Sequence, residues 1–183
     1  MAKRSSSGES CKTSKKIFQK LSVREKSLAL ITLAAVLVGV WLPDRIIVST
    51  SPSLTHRIFF LVPVNRQRIR TGEYLVFEDK DADTLFIRKG LNRNNNRLIK
   101  KVGCVPGDIL TRDANRGWHC GQAFFGNSLK TDSKGRELPQ FSFVGIIPAD
   151  SYFMVGDNPR SFDSRYFGFI HADYFLYKAL PLW

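Results

Sequence analysis

Cysteine and histidine are scarce in this 183-residue sequence, with three of each. None stand at zinc-finger spacing, which excludes a module of that kind. No internal repeat is visible, which removes solenoids and propellers. Acidic residues are outnumbered, 16 against 28 basic, leaving a net charge of +12. No long helical period follows residue 43, so most of the chain is not a helix bundle. The one long apolar run also lacks a small-x-small site behind it. Trp41-Leu42-Pro43 is bulky, which argues against a cleaved signal peptide.

What is present begins with charge. Residues 1–27 hold eight basic residues, from Lys3 to Lys26, against Glu9 and Glu25, and so account for half of the net charge. Residues 1–16 are rich in Ser, Lys and Gly and read as disordered. A basic tail invites nucleic acid, but an apolar segment follows at once, so no specific nucleic-acid partner is expected. From Leu28 to Leu42 every residue is apolar, glycine or threonine. Fifteen such residues fall short of the roughly 20 of a full span, although Ser27 and Pro43 can sit at the interface and Trp41 suits a headgroup level. A buried core helix competes with a membrane anchor. The dense basic flank favours the anchor and keeps that flank in the cytoplasm. The expected organisation is a basic cytoplasmic tail over 1–27, a transmembrane anchor over 28–43, and an exported domain over 44–183.

That domain reads as mostly β. Short apolar runs at 58–62, 74–77, 85–88, 109–111, 122–127, 151–155 and 175–180 alternate with Gly, Pro and Asn punctuation, and residues 92–97 and 130–140 have loop compositions. The run Ile58–Val62 fits either core or a patch that dips into lipid. Cys104 and Cys120 would both lie on the oxidising side, where a disulfide or two buried thiols are both open.

Three stretches carry chemistry. Ile99-Lys100-Lys101-Val102-Gly103-Cys104-Val105-Pro106-Gly107-Asp108 is an apolar strand holding two lysines, closed by a Pro-Gly-Asp turn. Strand alternation puts Lys100 with Leu98 and Val102, and Lys101 on the opposite face with Ile99. A lysine among apolar neighbours loses hydration, which favours the neutral amine and lets it act as a base. The plain alternative is a pair of lysines snorkelling from a sheet edge. Ser49-Thr50-Ser51-Pro52-Ser53-Leu54 reads as a polar turn, or as a nucleophile loop in which Pro52 stiffens the backbone before Ser53. Gly156 to Gly168 packs small and polar residues between two apolar strands, and Asp163 and Arg165 can brace it as a bidentate pair.

In order, an anchor, Ser51-Pro52-Ser53-Leu54, Lys100-Lys101 with Pro106-Gly107-Asp108, and Gly156 to Tyr166 resemble the type I signal peptidase family, membrane-anchored proteases with a Ser/Lys dyad. Pro52-Ser53-Leu54, the loop Asp132 to Pro139 and Ser161 to Gly168 are similar to the conjugative-transfer (TraF-type) branch. Thr55, His56 and Arg57 depart from the Pro and Gly usual there. The resemblance implies an antiparallel β-sheet catalytic domain facing the periplasm of a bacterial inner membrane. It implies Ser53 as nucleophile and Lys100 as general base. Ser51 would help bind the oxyanion, Ser161 would orient the lysine amine, Asp163 and Arg165 would form a structural pair, and Lys101 would support the site. It implies no metal or cofactor, and a substrate with small side chains at the first and third positions before the cut. The expected partners are the lipid bilayer and a prepilin or other leader-bearing substrate. His56, His119 and His171 need no role. The rival readings are a general signal peptidase and a non-catalytic anchored assembly factor.

Overall fold

The computed structural model describes residues 22–78 and 97–183. The expected disorder over 1–16, the strand at 85–88 and most of the loop from Asn92 lie outside the described residues. The chain divides into two compact units, Met1–Asp44 and Arg45–Trp183.

In the first unit, α1 spans Val23–Trp41. It starts five residues before the apolar run because Ser22 and Glu25 form a capping box. The Glu25 N–H donates to Ser22 Oγ at 3.3 Å, and the Ser22 N–H donates to Glu25 Oε2 at 2.7 Å. Two of the orphan N–H groups of the first turn are thereby satisfied. Pro43, which has no N–H to donate, follows the end. Every residue of α1 is exposed. At 1.5 Å per residue the helix is about 28 Å long, close to the roughly 30 Å of a hydrocarbon core, and it is apolar enough to cross a membrane.

The second unit is built of antiparallel strands in two sheets. In chain order they are β1 (Ile46–Val48), β2 (Ile58–Pro63), β3 (Tyr74–Glu78), β4 (Arg97–Cys104), β5 (Ile109–Arg112), β6 (Gly117–Cys120), β7 (Ala123–Asn127), β8 (Gly145–Ile146) and β9 (Ser151–Val155). A four-residue helix, α2 (Ser164–Phe167), precedes β10 (Ile170–His171) and β11 (Phe175–Pro181). The larger sheet runs β1-β2-β11-β3-β4-β9-β10 and the smaller β7-β6-β5-β8. The strands at 46–48, 117–120 and 145–146 and the short α2 are too brief to leave a period in the sequence.

Alternation sorts the larger sheet. On β2, Phe59 and Leu61 are buried with Val76, Ala179 and Leu54 in one cluster. Ile58, Phe60 and Val62 face the other way and are half-buried. The core reading of this run thus holds for the face of Phe59 and Leu61, and the other face is only half-buried. Rows of partners extend the second face: Ile46 pairs with Phe60 and Phe60 with Leu180, while Val48 pairs with Ile58. Ile46, Val48 and Leu180 are exposed, as are Leu182 and Trp183, so apolar side chains crowd this edge at the surface. A second cluster, around Leu75, Phe77, Val102, Met154 and Phe175, fills the centre.

β4 ends in a turn in which the Asp108 N–H donates to the Val105 carbonyl at 3.1 Å. Gly107 holds φ +87° there, the third position of a type II turn, which selects glycine. Cys104, at the end of β4, is disulfide-bonded to Cys120, at the end of β6. The alternative of two free thiols is thereby removed, and the bond ties the larger sheet to the smaller beside the Trp118–Phe153 cluster.

Candidate active site

The serine loop is anchored by an apolar neighbour. Leu54 is buried in the Phe59 cluster, which fixes Ser53 next to it at the loop's half-buried turn. The loop closes at its base by the Ser49 N–H donating to the Arg57 carbonyl at 2.7 Å. Ser53 Oγ lies 2.7 Å from Ser51 Oγ. The rest of its support comes from the turn after β9. The Asn158 N–H donates to the Ser53 carbonyl at 3.1 Å. Asn158 Nδ2 donates to the Pro52 carbonyl at 3.0 Å, and the Thr55 N–H donates to Asp157 Oδ2 at 3.1 Å.

The two lysines have different surroundings. Lys100 is 3% exposed, and its Nζ donates to Ser161 Oγ at 2.8 Å. Burial, partly offset by the Asp163 charge, lowers its pKa to about 8. Lys101 is half-buried and forms an ion pair with Asp157. Burial by itself would raise the Asp157 carboxyl, but hydrogen bonds from Lys101, the Thr55 N–H and Tyr74 hold it below the usual carboxylate range. Tyr74, the cross-strand partner of Lys101, donates to Asp157 Oδ2 at 3.3 Å and lies 3.4 Å from His56 Nδ1. Burial and the neighbouring Asp157 charge push the Tyr74 phenol up to about 12.

The turn and loop from Gly156 to Tyr166 hold themselves. Asp163 and Arg165 are both fully buried. Arg165 Nε donates to Asp163 Oδ1 and Nη2 to Oδ2, each at 2.8 Å. The same guanidinium donates to the carbonyls of Phe125, Asn158, Pro159 and Ser161 at 2.9–3.3 Å. Asp163 Oδ2 also accepts the Gly156 N–H at 2.8 Å. Glycine at 156 is required by proximity: a Cβ there would stand 2.2 Å from Ser161 Oγ and 2.8 Å from the Ser53 carbonyl.

A 710 Å³ cavity joins these parts. Ser51, Ser53 and Lys100 line it, with Ile47, Leu98, Ile99, Leu129, Leu138 and Phe162 as apolar wall. β1 and β4 stand four places apart in the sheet, yet Ile47 and Ile99 pack on the same cluster, so the sheet curls round the cleft. Among the described residues Ser53 and Lys100 share the cavity but not a hydrogen bond; each is bonded to another serine. Ser161 touches the lysine directly, whereas Asp163 and Arg165 act one step back and Lys101 ties to Asp157. The sequence reading missed Tyr74 and gave Asp157 and Asn158 no task. The latter two lay inside the quoted box, while Tyr74 is found only through its register opposite Lys101. His56, His119 and His171 have ordinary partners, Tyr74, Asp113 and Asp173.

On this β-rich scaffold one hydroxyl, that of Ser161, accepts from a buried lysine, and two more, those of Ser51 and Ser53, line the same cavity. Serine and lysine are residue types that one class of hydrolases combines. The comparisons with known proteins narrow the class. The family model for signal peptidase, peptidase S26, matches residues 22–183. The chain belongs to that family. A signal peptidase I of Buchnera aphidicola (subspecies Schizaphis graminum) is 46% identical over 41 residues, 22% of this chain and 13% of the relative. A second, from the Acyrthosiphon pisum subspecies, is 36% identical over 62 residues, 31% and 19% of the two chains. The matched segments thus span under a fifth of either relative. A solved structure of a signal peptidase I from Enterococcus faecalis V583 aligns over 59% of this chain and 93% of that one, with 22% identity and a TM-score of 0.35.

Proposed function

We propose that this protein is a membrane-anchored serine endopeptidase that cuts the leader from an exported substrate, with Ser53 as nucleophile and Lys100 as general base. The observation that carries this reading is Lys100, buried and with its pKa lowered to about 8, lining the same cavity as the Ser53 hydroxyl. An amine with that pKa is neutral in about a tenth of molecules at pH 7, against fewer than one in a thousand for an ordinary lysine. Lys100 takes the Ser53 proton, Ser53 attacks the scissile carbonyl, and an acyl-enzyme forms as the leaving amine takes a proton from the lysine. The Ser53 N–H and Ser51 Oγ hold the oxyanion, a contribution of about 10²–10³ in turnover per donor. Lys100 then activates the water that releases the product. The Ser53–Ser51 bond must give way as substrate enters, freeing Ser51 for the oxyanion. Ser161 holds the amine in line, and Asp163 and Arg165 hold Ser161. No metal or cofactor is needed.

The topology follows the same reading. α1 anchors the chain in a bacterial inner membrane, residues 1–27 stay in the cytoplasm, and residues 44–183 work in the periplasm. The apolar row of Ile46, Phe60 and Leu180, with Leu182 and Trp183 nearby, suits contact with the lipid surface. We infer a conjugative prepilin as substrate. This narrower reading is supported by the similarity of Pro52-Ser53-Leu54 and Asp132 to Pro139 to the conjugative branch, and by the short link between Leu129 and Phe141.

The test is co-expression of the candidate prepilin with the wild type and with Ser53→Ala, Lys100→Ala and Ser51→Ala. The expected result is unprocessed prepilin with the first two and slowed processing with the third. Normal processing by Ser53→Ala would remove the nucleophile, and processing of many unrelated leaders would favour the general peptidase.

A further inference from the structure

The cleft carries more positive charge than its lysine accounts for. Arg97, Arg136 and Arg160 all line the cavity, and Asp132 is the one carboxylate on its wall among the described residues. That carboxylate is engaged within its own turn. It accepts the Lys134 N–H at 2.8 Å, the Arg136 N–H at 2.9 Å and Arg136 Nε at 2.6 Å. Arg97 and Arg160 are exposed and pair with no carboxylate among the described residues. Two guanidinium groups therefore line an apolar-walled cleft with no carboxylate ion-paired to either among the described residues. Low-dielectric walls focus such a field on whatever enters, and the guanidinium fork matches a carboxylate in a bidentate way.

Their placement along the cleft says what the carboxylate belongs to. Four consecutive residues of β4, Arg97 to Lys100, line the cavity. Strand side chains alternate, so four in a row can border one cavity only where it meets the strand edge-on. β9 pairs with β4 only from Lys101 onward, so the edge from Arg97 to Lys100 is open among the described residues. A peptide laid on that edge advances about 3.3 Å per residue. Arg97 thus stands roughly 10 Å along the strand from Lys100, within about three residues of a bond held at the lysine. Arg160 is adjacent to Ser161, the hydrogen-bond partner of Lys100.

We propose that Arg97 and Arg160 are specificity-determining residues, and that the cleft selects peptides bearing an Asp or Glu within about three residues of the scissile bond. The proposal rests on the peptidase reading and names the substrate class that this cleft prefers. Edge pairing and the apolar wall favour a peptide over an anionic lipid headgroup as the source of the carboxylate or its like.

The test uses the full chain in detergent micelles and fluorogenic peptides with alanine at the first and third positions before the cut. Each neighbouring position, from the fourth before the cut to the fourth after it, carries Glu, Gln or Lys in turn. At one or two positions kcat/KM is expected to be about tenfold higher for Glu than for Gln, and lower still for Lys. The Glu/Gln ratio should fall to about one in the Arg97→Gln/Arg160→Gln double variant. A ratio is insensitive to how much of the variant is folded. Fluorescence anisotropy of the same peptides on the Ser53→Ala chain reads binding without cleavage. If acidic peptides bind preferentially there but the wild type cuts none of them, the peptidase reading fails and the specificity stands. Equal handling of Glu and Gln across the scan, or a preference that survives in the double variant, overturns the proposal. So does a double variant that loses only co-sedimentation with phosphatidylglycerol vesicles, which would assign the arginines to lipid.

Discussion

Two loops meet at Lys100, and they are held in opposite ways. The loop from Gly156 to Tyr166 is braced from within: one buried guanidinium grips one buried carboxylate and four carbonyls, three of them in the loop itself. The loop from Ser49 to Arg57 has its own closing bond and the Leu54 plug, but the groups next to Ser53 are held by Asn158 and Asp157 of the other loop. The first loop is a scaffold and the second is positioned on it. Geometry at Ser53 therefore depends on residues more than a hundred positions later in the chain.

The strongest way to break this contrast is to remove the brace. Arg165→Ala would leave Asp163 buried and unpaired, and deleting one partner of a buried pair costs about 3–5 kcal/mol. Chemical denaturation should read that loss directly. Fluorescence or hydrogen exchange should find loops 156–166 and 49–57 loosened together. An unchanged denaturation midpoint would mean that the brace lies elsewhere.

A second prediction sharpens the difference between the adjacent lysines. Lys100 has a folded pKa of about 8, below its ordinary 10.5, so between those values the unfolded chain binds more protons. Stability should rise with pH across that window and be flat below and above it. The wild type minus Lys100→Met difference should therefore change by about 3 kcal/mol between pH 7 and pH 11. The comparison across pH cancels any constant cost of leaving Ser161 without its donor. Cleavage by the wild type should climb through about pH 8 as the amine loses its proton. Denaturation curves without that slope, or a rate that falls across the same range, would contradict a desolvated base at this position.

How much of this could be read from the chain follows the same contrast. The apolar helix, the β class and the segments that line the cavity were legible because each is local: a fifteen-residue apolar run, short apolar strands between turns, Ser-x-Ser before leucine, Pro-Gly-Asp after the lysines. Strand alternation separated Leu98 and Val102 from Ile99, and their packing on different clusters agrees. What escaped was pairing at long range. Nothing local marks Tyr74 as the partner of Lys101, or Asn158 as the clamp on Pro52 and Ser53. The extra turn of α1 escaped because a Ser-x-x-Glu box among charged residues looks like part of the tail. Composition favoured neither a bond nor free thiols at Cys104 and Cys120, since only the packing of the two sheets against each other brings them together.

The finest test separates clamp from scaffold at one side chain. Asn158→Ala removes the Nδ2 bond to the Pro52 carbonyl and the Oδ1 contact with the Arg160 N–H, at 3.0 and 2.8 Å. Its backbone N–H still reaches the Ser53 carbonyl. Two partly exposed hydrogen bonds are worth about 1–2 kcal/mol together, so the midpoint should move little while the Arg165 brace persists. If loop 49–57 is positioned by what it borrows, the rate should suffer more than the stability. We expect kcat lowered about tenfold, KM nearly unchanged, and a pH profile still centred near 8, since Asn158 is not among the groups that set the Lys100 pKa. A variant that loses stability in proportion to rate would make Asn158 one more structural contact. A variant with full rate would mean that Leu54 and the backbone bonds suffice to hold Ser53 without the Asn158 side chain.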